Sequence, residues 1–209
     1  MRLRYWAKEA LKITGVIMAA ALGYTLLMMA QDSRETWEDY LVMGAVYLGM
    51  FGAFICMTLG TSIYQVHVPL AISFGSTRKE ALLGIQCYRL VIASIILAVA
   101  ELLFFMTGDT ARSMAWAVVP LGAAAFLVFN SIGAILGGLS TKLGKGALIA
   151  GSIIVMLLCV GGIGSVILII GLKYSLQKSV VWIVLGIGSL VYALSMVFEV
   201  KSIKKFSVK

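Results

Sequence analysis

The sequence predicts an all-α membrane protein of six transmembrane helices with both termini in the cytosol. Three observations carry that prediction. The 209-residue chain is 61% hydrophobic and only 12% charged, with a mean hydropathy of +1.04, whereas a soluble domain holds roughly 45–50% apolar and about 25% charged residues. The apolar residues fall into runs of about twenty, which suits helices rather than the roughly ten-residue alternating strands of an outer-membrane barrel. The basic residues gather in the connections and termini, and mostly on one side of the membrane.

Residues 2–12 read as an N-terminal interfacial helix, because Leu3, Trp6, Ala7, Ala10 and Leu11 recur at helical spacing among Arg2, Arg4, Lys8 and Lys12. A basic start that only sets topology fits the same residues, and the two roles are compatible. Spans follow at about 13–30, 41–63, 86–107, 114–139, 147–171 and 180–198. Each is long enough to cross a hydrocarbon layer of roughly 30 Å. The first reads as an uncleaved anchor rather than a signal peptide. Its apolar run exceeds the usual length of about 7–15 residues, and the best cleavage point, after Ala30, has Met28 where a small residue is wanted.

With six spans, one side of the membrane holds Arg2, Arg4, Lys8, Lys12, Arg78, Lys79, Arg89, Lys142, Lys145, Lys201, Lys204, Lys205 and Lys209. The other holds Arg34, Arg112, Lys173 and Lys178. The positive-inside rule makes the first side cytosolic. The net charge of +8 is thereby explained by orientation, and no nucleic-acid partner is expected. The longest outer connection, 31–40, carries Asp32, Glu35, Glu38 and Asp39 and is too short to be a capture domain.

The connection from Val68 to Glu80 is the most informative stretch. Pro69 fits the first position of a helix, where its missing N–H costs nothing. Gly75 fits the left-handed position that ends one, and Thr77-x-x-Glu80 is a capping box that starts the next. The pattern reads helix, break, helix, with a short helix at the cytosolic surface. Its apolar side chains Leu70, Ile72 and Phe74 need a cover, which either lipid headgroups or a partner protein would supply.

Two polar side chains fall inside spans. Glu101 is a candidate for a substrate or gating role, or for a snorkelled or hydrogen-bonded side chain. Asn130 reads as interhelical glue. Small residues recur at Gly15, Ala19 and Gly23, and at Gly133 and Gly137, as stripes for close packing within the chain or against a second copy. The cluster Gly161, Gly162 and Gly164 would loosen the fifth span.

No enzyme is expected. Gly144-Lys145 lacks the rest of a P-loop, and no HExxH motif or Ser-His-Asp set can be drawn. His67 alone cannot hold a metal. Cys56, Cys87 and Cys159 are far apart, so neither a metal site nor a disulfide is assigned. If energy drives this protein, it comes from a partner.

Six spans, an N-terminal interfacial helix and a short helix between spans two and three resemble the permease subunits of type-2 ATP-binding-cassette (ABC) exporters. The run Leu70-Ala71-Ile72-Ser73-Phe74-Gly75-Ser76-Thr77-Arg78-Lys79-Glu80 is similar to an SFG-x-[ST]-RKE stretch in small six-span permease-like proteins of Gram-positive bacteria. The ending Lys204-Lys205-Phe206-Ser207-Val208-Lys209 and the run Gly144-Lys145-Gly146 are similar in character. The resemblance implies a coupling helix, with Pro69, Leu70, Ile72, Phe74, Gly75, Arg78, Lys79 and Glu80 facing a groove of an ABC ATPase. It also implies ATP and Mg on that partner, none in this chain, and a second permease that is either a copy or a related chain. Export of a peptide, toxin or lipidic molecule across a bacterial cytoplasmic membrane would follow. The chain departs from the family in its very short outer connection before the last span, so no gate is carried over. Two other classes stay open. A substrate-binding membrane subunit of a vitamin importer needs a polar cavity at the outer face. An ion-coupled secondary transporter needs repeated halves, and residues 1–108 and 109–209 show no clear repeat.

Overall fold

The computed structural model describes residues 2–31, 36–73, 75, 77–107, 115–143, 146, 149, 153 and 178–204. Among these the chain is helical, without strands. Five helices are long and apolar enough to cross a membrane, as expected of a multi-pass membrane protein. They are α1 (Arg2–Gln31), α2 (Trp37–Ser62), α4 (Arg78–Phe105), α5 (Ala115–Leu143) and α6 (Lys178–Lys204), and a short α3 (Val68–Ser73) precedes α4. The expected span at 147–171, with the Gly161–Gly164 cluster and Cys159, lies outside the described residues apart from Ile149 and Ile153.

Residues 2–12 are not a separate interfacial helix. They are the opening turns of α1, whose 30 residues give a length of about 45 Å at 1.5 Å per residue. The buried stripe is Trp6, Ala10, Thr14, Ile17 and Ala21, a 3–4 spacing that continues unbroken from the basic segment into the span. Trp6 is only 4% exposed. Its indole lies against Gly84 of α4, where an added Cβ would stand 2.2 Å from Nε1. Tyr88 meets it edge-on, with ring centroids 6.1 Å apart, and His67 lies tilted at 5.8 Å. The sequence placed Trp6 in headgroups because its neighbours are basic. The contact that overrides this comes from a glycine 78 positions away, which periodicity within one helix does not reveal. Trp6→Ala should therefore cost on the order of 3–5 kcal/mol, as for a core aromatic. A headgroup anchor would lose far less. The midpoint of unfolding in a graded anionic-detergent titration separates the two.

α2 opens with a capping box. The Thr36 N–H donates to Asp39 Oδ2 at 3.0 Å, and the Asp39 N–H donates to Thr36 Oγ1 at 3.4 Å. At its other end the helical path does not break: α3 begins at Val68, so Pro69 stands in its first turn, one position from the helix start the sequence suggests, but the turn before it is continuous with α2. Ser62, Ile63 and Val68 all keep right-handed helical angles, and the path runs on through a π-helical turn, Ile63–His67, into α3. The Val68 N–H donates five residues back, to the Ile63 carbonyl. A proline inside an α-helix clashes with the carbonyl four residues earlier. The wider turn just before Pro69 is the kind of local irregularity that accommodates it.

The end of α3 follows the sequence reading closely. Gly75 has φ +76, and its N–H donates to the Ile72 carbonyl at 2.9 Å. Thr77 then caps α4, with its N–H on Glu80 Oε2 at 2.8 Å and the Glu80 N–H on Thr77 Oγ1 at 3.2 Å.

α2 lies against α1, α4 and α5, and α6 packs chiefly on α5. The backbones of α2 and α5 cross closely. A Cβ on Gly133 would stand 2.4 Å from the Met57 carbonyl oxygen. One on Gly60 would stand 2.9 Å from Gly133 Cα, and one on Gly137 the same distance from the Gly60 carbonyl oxygen. The Gly133–Gly137 stripe thus serves packing within the chain. Gly15 and Gly23 meet nothing within 4 Å, and Ala19 between them is exposed.

Candidate functional site

Arg89 sits on the inward stripe of α4, four residues after Ile85 and three before Ile92, both fully buried. Glu199 sits on the inward stripe of α6, four residues after buried Ser195 and four before buried Ile203. The stripes meet, and Arg89 Nη1 donates to Glu199 Oε1 in an ion pair whose side chains are 3% and 0% exposed. Gln86, one turn before Arg89, donates from Nε2 to Glu199 Oε2 at 2.8 Å. The Tyr192 hydroxyl, from two turns earlier on α6, donates to Gln86 Oε1. Both carboxylate oxygens of Glu199 are therefore engaged, and the acid is held by two residues of one helix.

The base is less completely held. Nε and Nη2 of Arg89 have no hydrogen-bond partner among the described residues. Neither have the buried hydroxyls of Tyr64 and Tyr88 nor Oδ1 of Asn130. Tyr64 lies on the π-helical turn, close enough to feel both charges of the pair. Cys56 of α2 lies near Arg89 and beside the Asn130 side chain of α5. Five helical segments, α2, the π-helical turn, α4, α5 and α6, thus converge on one buried polar cluster of net charge zero.

Arg89 corrects the charge count along the chain. It is not a base of the cytosolic connection but lies eleven residues inside α4, about 16 Å from Arg78 along the helix axis. Glu199 is the acid missed altogether, since it follows the apolar run read as ending at 198. One signal was available: a base one turn from Ile85 and Ile92 must have an acid at similar depth, and Glu199 is the one on the last helix. Asn130 serves two neighbours. Its Nδ2 donates to the Phe126 carbonyl of its own helix at 2.8 Å, while its side chain also meets Cys56 of α2. Glu101 stands apart from the cluster. It is half-buried near the far end of α4, and its Oε2 is buried without a partner. By helical spacing it shares a face with Leu97, which abuts Gly122 of α5.

Of the expected coupling residues, Leu70 is 45% exposed, and Gly75, Arg78, Lys79 and Glu80 are exposed. Pro69 and Ile72 are half-buried, with Ile72 resting on the core. Phe74 lies outside the described residues. His67 packs on Trp6. Cys56 and Cys87 are free thiols, and the described residues hold no cluster suited to a metal. At the opposite end of the bundle, Met18, Leu22, Leu26, Met29, Trp37 and Leu41 line much of a cavity of about 180 Å³ between α1, α2 and α4. Its lining is almost wholly apolar.

No protein-family model, no curated protein and no solved structure matches this chain.

Proposed function

We propose that this chain is the permease subunit of a bacterial ABC transporter, a six-span protein of the cytoplasmic membrane that moves its substrate when a separate ATPase pushes on the connection between α2 and α4. The observation that carries this reading is the build of that connection. It is a helical element with a glycine stop and a capping box on either side of its turn, and not a slack loop. A rigid connection transmits a push into α4, whereas a loop would absorb it. Leu70 stands exposed on this element while its other side rests on the core.

The arrangement of ends supports the topology. Trp6 lies against Gly84 and His67, and Glu199 against Gln86. The start of α1, the connection and the end of α6 therefore gather at one end of the bundle, where the basic residues are concentrated, and the positive-inside rule makes that end cytosolic. Gly137, near the end of α5, packs at this same end against Gly60 and Tyr64. Lys178, at the start of α6, lies over the Trp116 ring near the start of α5, with Nζ 5.9 Å from its centroid. The helices flanking the expected fifth span thus finish and begin at opposite ends of the bundle, which favours six crossings.

ATP, Mg and their chemistry belong to the partner in this reading. Export of a peptide, toxin or lipidic substrate is its direction, and a second permease, identical or related, completes the pathway. Gly75→Pro and Phe74→Asp test it. Proline cannot take φ +76 and removes the N–H that closes the turn; aspartate at position 74 adds a charge to the apolar stretch that the resemblance assigns to a partner. Both should insert normally yet lose ATPase association, measured by co-purification, and substrate-stimulated ATP hydrolysis. Wild-type assembly and transport in both would contradict the coupling role. An ion-coupled transporter is the second reading, favoured by the buried Arg89–Glu199 pair. Gradient-driven transport by the chain alone in liposomes would establish it. The apolar cavity beside Trp37 weighs against a vitamin-binding subunit, which needs polar contacts there.

A further inference from the structure

We propose that the free edge of the Arg89 guanidinium is a binding site for an oxyanion, a carboxylate or phosphate group that enters by exchanging with Glu199. Arginine offers two forks. Glu199 takes a single N–H, from Nη1. The Nε–Nη2 edge, which grips carboxylate or phosphate through two parallel hydrogen bonds, is buried and unpartnered among the described residues. Burying polar groups without partners is costly, and native proteins keep such groups chiefly where something binds or moves. A second orphan, near enough to Arg89 to interact with its charge, is the Tyr64 hydroxyl, 1% exposed, which is able to donate a further bond to an incoming oxygen. Tyr64 rides on the only π-helical turn among the described residues, a distortion that recurs at functional sites. The free groups are mostly donors, so the ligand they fit is rich in acceptors.

Charge fixes how the ligand enters. The cluster is neutral while Arg89 faces Glu199, and an added anion would leave one negative charge in excess in a low-dielectric interior. The oxyanion therefore takes the guanidinium in place of the internal carboxylate, and Glu199 either takes up a proton while it stays on Gln86 Nε2 or turns to water, so that the buried cluster remains neutral. The exchange undoes the one ion pair that ties α4 to α6 among the described residues. Occupancy of the site and separation of these two helices are thereby the same event. The site is independent of what energises the protein, so it stands or falls apart from the ATPase reading.

The test uses the purified full chain in a phosphate-free maltoside detergent. Thermal unfolding is followed while acetate, inorganic phosphate or phosphatidylglycerol is titrated, with diacylglycerol and chloride as controls. A saturable rise in Tm with acetate or phosphate assigns the site to a dissolved oxyanion, and one with phosphatidylglycerol but not diacylglycerol to a lipid phosphate. Either supports the site if Arg89→Lys, which keeps the charge for Glu199 but loses the fork, weakens the response by about tenfold or more, the loss expected for one charge-assisted hydrogen bond. Tyr64→Phe should weaken it several-fold and serves alone if Arg89→Lys does not fold. No saturable response to any of the three probes, or a response unchanged in these variants, would overturn the proposal.

Discussion

Arg89→Ala should destabilise the protein by about 3–5 kcal/mol, because it leaves the Glu199 carboxylate buried without its counter-charge. Glu199 is fully buried, and Gln86 alone would remain to hold it. Glu199→Ala should cost a similar amount, since it strands a guanidinium that already lacks partners at two nitrogens. The informative variant is the double one. Replacing both residues by leucine removes both buried charges, and such replacements are often neutral or stabilising by roughly 1–4 kcal/mol. Strong non-additivity is therefore expected: two harmful single changes and a benign pair. Unfolding of all four proteins in mixed micelles of graded anionic-detergent content measures it. Additive losses would show that the two side chains do not depend on one another. If the stable double variant no longer responds to oxyanions, the pair is retained for function and not for stability.

Gly133→Leu is expected to be equally severe for an unrelated reason. Even a methyl group at Gly133 would lie 2.4 Å from the Met57 carbonyl oxygen and 3.1 Å from Met57 Cα, and these are backbone atoms that no rotamer change can move aside. In membranes, helices gain little from hydrophobic exclusion, so close packing over small residues supplies much of the association. Forcing α2 and α5 apart costs the Gly60 and Gly137 contacts together. A loss above the usual overpacking range of about 1–3 kcal/mol is expected for leucine, with alanine within that range. Gly15→Leu is the matched control, because Gly15 has open space around it and the change should be nearly silent for folding. If Gly133→Leu and Gly15→Leu melt alike, the crossing of α2 and α5 is not as close as described.

The parts of this architecture that could be read from the sequence are those fixed locally. Apolar length placed the five described spans. The capping box at Thr77 and the left-handed turn at Gly75 were legible because each is a contract between residues a few positions apart. What was not legible depends on which helices touch. Trp6 and Arg89 both carry a local signature of exposure, a basic neighbourhood for one and a cationic head for the other. Gly84 and Glu199 reverse those signatures from distant parts of the chain. Pro69 was legible as a first-turn residue of the short helix, but the continuity of the path leading into it was not. Proline does open helices, but the π-helical turn at Ile63–His67 lets one sit within a continuous helical path. Asn130 was correctly placed inside the bundle: its Nδ2 serves its own helix, an option always open to a short polar side chain, and its side chain also meets Cys56 of α2. The polar cluster itself was half visible: Gln86 and Arg89 are one turn apart, as are Ser195 and Glu199, but only packing sets the two pairs against each other.

These features form one chain of consequences. The connection after α3 leads into α4, and α4 reaches the ion pair within three turns of its start. α6 holds the other half of that pair and packs on α5. A push at the connection and an oxyanion at Arg89 would thus act on the same contact, one by moving α4 and the other by removing Glu199 from it.

The most direct measurement is a photocrosslink from position 70. Leu70 is 45% exposed on the connection, and Leu194 is 65% exposed on α6 and serves as the lipid-facing reference. A benzophenone amino acid at position 70, irradiated in intact membranes, should yield an adduct with an ABC ATPase subunit that position 194 does not give. Lipid adducts alone at both positions would contradict the coupling role of the connection and leave a helical bundle with a buried ion pair to be explained in another way.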